Sequence, residues 1–139
     1  MTSATAFDAD VLIYAAIDGH ALGCRILPLL RDDETAAVGS VLLLTEVLAK
    51  PWRDDPDSDE VAALLSVLSR VDLRPLDEPT ARLALVLAAE HGLRAADAAH
   101  LATAVAAGAD RFVTNNRKDF PQSISEIEIV YPTDLDADS

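Results

Sequence analysis

The chain has 139 residues, half of them hydrophobic but only 4% aromatic, and carries 24 acids against 11 bases for a net charge of -13. That length suits one domain and leaves no room for a second of ordinary size. The acidic balance opposes unaided approach to a polyanion, unless bound cations or a basic partner mask some of the carboxylates. No apolar run reaches the ~18 residues needed to cross a bilayer, and the N-terminus lacks the basic and apolar regions of a signal peptide, so the expectation is a soluble cytoplasmic protein without a membrane partner. The single cysteine, Cys24, excludes an internal disulfide and a cysteine zinc site, and reads as a small buried residue.

In chain order, Thr5-Ala6-Phe7 is a short apolar run that ends on Asp8, and Val11, Leu12, Ile13 and Tyr14 turn at once into a helix. In open α/β sheets, ligands and catalytic groups collect at the carboxyl ends of strands, which is where this pattern puts Asp8. An N-cap role explains one carboxylate, yet Asp10 makes two. Residues 21–30 place Leu22, Ile26, Leu29 and Leu30 at helical spacing, Asp32-Asp33-Glu34 is a polar loop, and residues 36–39 are a second strand. Ser40 is expected to cap a helix whose apolar face is Val41, Leu44, Val47 and Leu48 and which stops at Pro51. Glu46 on that helix is either a surface acid or a carboxylate projected from its flank toward a site.

Residues 51–60 read as a charged, proline-punctuated loop with Trp52 packed at its edge, and Val61, Leu64, Leu65 and Leu68 as the next amphipathic helix. A strand at 71–76 follows, then Asp77 and Pro79 open a helix running toward Gly92. Residues 93–110 form an alanine-rich helix with Asp97 in its first turn and Gly108 at its exit. Residues 111–114 are a strand ending in Asn115-Asn116, and 127–131 a last one. The alternation of strand and helix predicts an α/β fold in which two strand ends and two helices bring polar oxygens to one region.

Clustered oxygens of this kind suit a hard divalent cation, since Mg²⁺ binds through one or two carboxylates, waters and substrate phosphate. Without such an ion the carboxylates repel, and at least one pKa is expected to rise. His100, one turn after Asp97, fits either a ligand pair or a packed helix histidine, whereas His20 and His91 read as loop and helix-end residues. Thr114 either hydrogen-bonds a site carboxylate or simply packs as a β-branched strand residue. Arg94, Arg111, Arg117 and Lys118 flank the acidic stretches and reach either phosphate or solvent.

Four motifs in order carry a family resemblance: F-D-x-[DN]-V-L-[IL]-Y at 7–14, T-E-V-L at 45–48, A-A-D-A-x-H-L-A-T-A at 95–104, and G-A-D-R-F-V-T-N-N-x-x-D-F at 108–120. In combination the chain resembles PIN-domain proteins of the VapC-like toxin kind. The resemblance implies a three-layer α/β domain over residues 1–133, with a central, mostly parallel five-stranded sheet flanked by helices, and an acidic tail at 134–139. It further implies a ribonuclease that binds Mg²⁺ or Mn²⁺ through Asp8, Glu46 and Asp97, with Asn116 at the usual place of a fourth acid. Asp10, Thr114, Asn115 and Asp119 stand as supporting residues. Asp10 occupies a position more often held by Asn, and Asp119 either compensates for the amide at Asn116 or is a turn residue before Phe120. A homodimer and a cognate antitoxin protein are the implied partners. Two other classes compete: a haloacid-dehalogenase-like phosphatase using Asp8 as nucleophile and Asp10 as acid-base, and a non-catalytic binding protein with the same fold.

Overall fold

In the computed structural model, which describes residues 3–136, five strands share one sheet: β1 (Ser3–Phe7), β2 (Thr35–Ser40), β3 (Asp72–Arg74), β4 (Arg111–Val113) and β5 (Glu128–Val130). Their spatial order is β3-β2-β1-β4-β5, and every neighbouring pair is parallel. Parallel neighbours cannot be joined by a tight hairpin, so helices carry most crossovers. These are α1 (Ala9–Ala15), α2 (Gly23–Arg31), α3 (Leu43–Asp54), α4 (Asp59–Leu68), α5 (Glu78–His91) and α6 (Ala95–Ala106).

Alternation along the strands divides the core between two helical layers. Phe7, Val113 and Val130 pack with Val11, Leu12, Ile26, Leu43 and Val61, on the side of α1 to α4. Ala6, Phe112 and Ile129 pack with Leu87, Leu101 and Phe120 on the side of α5 and α6. Both faces are covered at the centre of the sheet, where Ala6-Phe7 and Phe112-Val113 are buried apolar pairs. The chain leaves β1 toward β2 on one side and receives β4 on the other. The sheet therefore reverses its winding between β1 and β4, the place where doubly wound folds open a crevice.

Local chemistry accounts for the best-defined helix. Asp77 accepts a hydrogen bond from the Thr80 amide at 3.0 Å, Pro79 occupies the first turn, and Gly92 ends α5 at φ 68°, which favours glycine. At Gly23 a Cβ would lie 2.1 Å from the Tyr14 carbonyl oxygen, so α1 and α2 cross too closely for any side chain there.

Several local expectations need correction. Pro51 does not stop α3, which runs to Asp54; proline forfeits one helical N–H bond, but its own carbonyl still accepts from Asp55 at 2.9 Å. The charged loop shrinks to residues 55–58, and Ser58 caps α4. Ser40 ends β2 and accepts from the Leu42 amide, and α3 starts only at Leu43. That later start turns the buried face to Leu43, Val47 and Leu48 and leaves Val41 and Leu44 exposed. Leu65, Trp52 and Cys24 are exposed as well. Asp134 lies in a 3₁₀ turn (Pro132–Asp134) and accepts from the Tyr131 amide at 2.9 Å. Residues 137–139 of the acidic tail lie outside the described residues. Among the described residues no helix is long and apolar enough to cross a membrane.

Candidate active site

The crevice between β1 and β4 is lined by polar groups that each fall at the start of an element. Asp8 is the N-cap of α1, Glu46 lies in the first turn of α3, and Asp97 in the first turn of α6. The register pairs Phe7 with Val113, so Asp8 and Thr114 emerge side by side from adjacent strands. Helix N-termini favour negative charge, which partly offsets gathering these acids.

Asp8 is buried and held by both oxygens. The Ala9 amide donates to Oδ1 at 2.8 Å, and the Thr114 hydroxyl donates to Oδ2 at 2.8 Å. Thr114 is fully buried and its Oγ1 also accepts from the Asn116 amide at 3.1 Å. Burial raises the Asp8 pKa and Glu46 adds to the rise, while the hydrogen bond that Asp8 accepts from Thr114 and, separately, the proximity of His100 oppose it. Asp10 sits behind: its Oδ2 accepts from the Asn115 amide at 3.0 Å, tying α1 to the segment after β4. Burial, then the Asp8 charge, push Asp10 up to about 6. Asn115 also reaches the Tyr14 hydroxyl at 3.4 Å.

Glu46 projects off α3 toward the crevice, with a third of its side chain exposed, and His100 comes from α6 beneath it. Donor atoms of Asp8, Glu46 and His100 all lie within 4.8 Å of one another. Asp97 stands outside that tight group but within its field. Burial raises its pKa first, and then the charges of Asp8, Asp119 and Glu46 raise it further. Asn116 turns its amide away from the group: its Nδ2 donates to Asp119 at 2.9 Å and its Oδ1 accepts from the Asp119 amide at 3.2 Å. Asn116 thus orients Asp119, a carboxylate whose charge contributes to the raised pKa of Asp97.

Two carboxylates and one imidazole converging in this way are a donor set that fits a divalent cation. Neither nitrogen of the buried His100 ring has a hydrogen-bond partner, a deficit worth about 1–3 kcal/mol for a buried polar group. Sequence reasoning left His100 between two roles. Its spacing of three from Asp97 on one helix was the signal that placed both on the same face.

The basic residues divide. Arg94 is exposed at the N-cap of α6, and Lys118 is exposed in the loop after β4. Arg117 donates to the Thr133 hydroxyl at 2.7 Å and covers the Tyr131 ring at 4.3 Å. Arg111 is elsewhere, at the amino end of β4, donating to the Thr5 hydroxyl at 3.0 Å.

The fold has counterparts. In a toxin–antitoxin complex from Klebsiella pneumoniae, a chain 23% identical superposes with a TM-score of 0.71, covering 92% of this chain and 97% of its own. The structure of VapBC2 from Rickettsia felis bound to a DNA fragment from their promoter gives 0.72 at 17% identity, over 92% and 98%. PAE2754 from Pyrobaculum aerophilum gives 0.62 at 21% identity, over 96% and 93%. No curated protein sequence matches the chain. The PIN domain model matches residues 6–122, a span that runs from β1 past Asp119 and includes α1, α3, α6 and β4; the chain belongs to the PIN-domain family.

Proposed function

We propose that the protein is a metal-dependent endoribonuclease, the toxin half of a type II toxin–antitoxin pair, with Asp8, Glu46 and Asp97 as the acids that hold Mg²⁺ or Mn²⁺. The observation that carries this reading is the gathering of Asp8 and Glu46, 38 positions apart in sequence, within 4.8 Å of each other and of His100 in the crevice. Carboxylates raised by burial and by one another gain most from a cation, and such perturbed groups mark functional sites. A cation bound there lowers the pKa of water and neutralises charge on a phosphodiester. The chain's own residues supply the rest. Thr114 fixes the Asp8 carboxylate, Asp10 pins the Asn115 backbone, and Asn116 sets Asp119 as the fourth acid beside Asp97.

RNA is the expected substrate, entering as a single strand whose phosphates can be splayed into the crevice past Arg94 and Lys118. The net charge of -13 makes assembly useful, because a second copy doubles the local basic groups. Leu85, 70% exposed, lines an apolar groove between α5 and α6 that suits a homodimer. The Klebsiella structure is a toxin–antitoxin complex, which supports an antitoxin partner here. The phosphatase alternative gives way to the family match, and cleavage separates the nuclease from a non-catalytic binder.

The deciding experiment offers single-stranded and hairpin RNA to the purified protein with Mg²⁺ or Mn²⁺, then adds excess chelator, while sedimentation reports oligomeric state for the parent and Leu85→Glu. Cleavage that chelation abolishes is the expected result. Cutting that persists in chelator, or no cutting by a dimer loaded with either metal, would overturn the reading.

A further inference from the structure

The carboxylates of the crevice all have partners or solvent, whereas His100 has neither. Its side chain is 1% exposed, both ring nitrogens lack a hydrogen bond, and Nε2 lies 3.1 Å from Glu46 Oε1 without hydrogen-bonding alignment. A short, unaligned contact between two donors is what two ligands of one ion show. With metal–donor distances of about 2.1 Å, neighbouring ligands at 90–110° stand roughly 3.0–3.4 Å apart. The Asp8 carboxylate completes the set within 4.8 Å.

We propose that His100 is a nitrogen ligand of the metal site, and that it turns this site from an all-oxygen Mg²⁺ site into one that prefers first-row transition ions, Mn²⁺ among them, over Mg²⁺. The inference rests on the metal-site reading above and deepens it. Imidazole adds little for Mg²⁺, which dehydrates reluctantly and favours carboxylate, carbonyl and water oxygens. It strengthens binding of first-row transition ions along their usual affinity series. An imidazole kept from water, with no internal partner, is available to such an ion without first breaking a hydrogen bond. Asp97, outside the tight group, would then hold the ion through a bound water rather than as a close neighbour of His100.

The test uses the full chain loaded with Mn²⁺ and read by pulsed electron paramagnetic resonance, comparing natural-abundance protein with protein carrying ¹⁵N-histidine. A directly bound imidazole gives a nitrogen modulation that changes with the isotope. That modulation is expected in the parent and in His91→Gln, which removes the exposed Glu90–His91–Glu126 group, and is expected to vanish in His100→Gln and Asp8→Asn. Calorimetry on the same proteins should show Mn²⁺ bound at least about tenfold more tightly than Mg²⁺ by the parent, with the preference largely lost in His100→Gln. Mn²⁺ bound in an Asp8-dependent way with no histidine modulation would overturn the proposal while leaving the metal site intact. Absence of any Asp8-dependent Mn²⁺ binding would bring down both together. The parent's spectrum decides the matter even if His100→Gln folds poorly.

Discussion

At the carboxyl ends of β1 and β4 the sheet gathers Asp8, Asp10, Thr114 and the asparagines, while at the amino ends of the same strands it gathers Arg111 beside Arg25 and Arg31, around a cavity of about 540 Å³. At the acidic end charges of one sign are held together by hydrogen bonds from Ala9, Thr114 and Asn115 and by nothing of opposite charge except a histidine. At the basic end the arginines are answered locally: Arg25 donates to the Leu135 carbonyl, Arg111 to Thr5, and Asp32 and Asp136 line the same cavity. The contrast teaches that the two ends are different kinds of structure. At the basic end Arg25 and Arg111 are committed to partners within the chain, and the acidic end carries clustered charge that a cation would complete.

The comparison breaks most visibly at Asp8. Asp8→Asn removes the central charge yet keeps an acceptor for Thr114, so cleavage of RNA is expected to fall by more than about 10²-fold, beyond the loss typical of residues that only support a metal site. The fold should survive or gain stability, since the raised pKa of Asp8 shows that its ionised form is disfavoured by burial. Wild-type cleavage rates in this variant, measured beside an unchanged melting curve, would place the chemistry elsewhere.

A smaller effect is expected from pH. Asp8, Asp10 and Asp97 all have folded pKa values raised above the ordinary carboxylate, so the native state holds these protons more tightly than the unfolded chain. Their contribution to stability is therefore fully present below about pH 4 and lost as pH rises through the folded values, about 6 for Asp10. In chelator, Asp10 alone should make the protein at most about 3 kcal/mol less stable at pH 7 than at pH 4. Asp10→Asn should flatten that part of the profile in denaturant titrations. Adding Mn²⁺ should lift the neutral-pH end preferentially, and an equal lift at pH 4 would contradict the picture.

The smallest effect sharpens the division between the two ends. Lys118→Ala, near the acidic end, should lower the slope of log affinity for single-stranded RNA against log salt by about 0.7, the value for one lost phosphate contact. Arg111→Ala should leave the slope unchanged, because its guanidinium is committed to Thr5 at the other end. Equal losses from both would show that RNA wraps the whole edge of the sheet.

Much of this was legible in the sequence where the signals are local. A brief apolar run ending on Asp8 marks a buried strand, and Asp77, Pro79 and Gly92 punctuate α5 at both ends. Signals set by distant packing were harder to read. Pro51 looked like a stop because the rule concerns helix interiors, and here it lies one turn from the end. The buried face of α3 was misphased because Val41 and Leu44 are as apolar as Leu43 and Val47, so the turn after β2 decides the phase. Asp10 and Asn115 are 105 positions apart, and no spacing rule connects them. The ambiguity at His100 arises because a histidine on an apolar face suits a core as well as a ligand, until its unpartnered nitrogens are seen.

Finally, β1 is the middle strand of the sheet although it is the first made, and its right-hand neighbour β4 begins only at Arg111. During synthesis the first half of the sheet can pair as β2 and β3 emerge. Asp8 and Asp10 must then wait for Thr114 and the Asn115 amide before either carboxylate is fastened. A ribosome-bound or prematurely ended chain lacking those last residues carries every acid of the first two motifs but no assembled crevice. Under the toxin reading proposed above, this order of manufacture would act as a safeguard: incomplete copies would lack the assembled site, and only a nearly finished chain would need restraint.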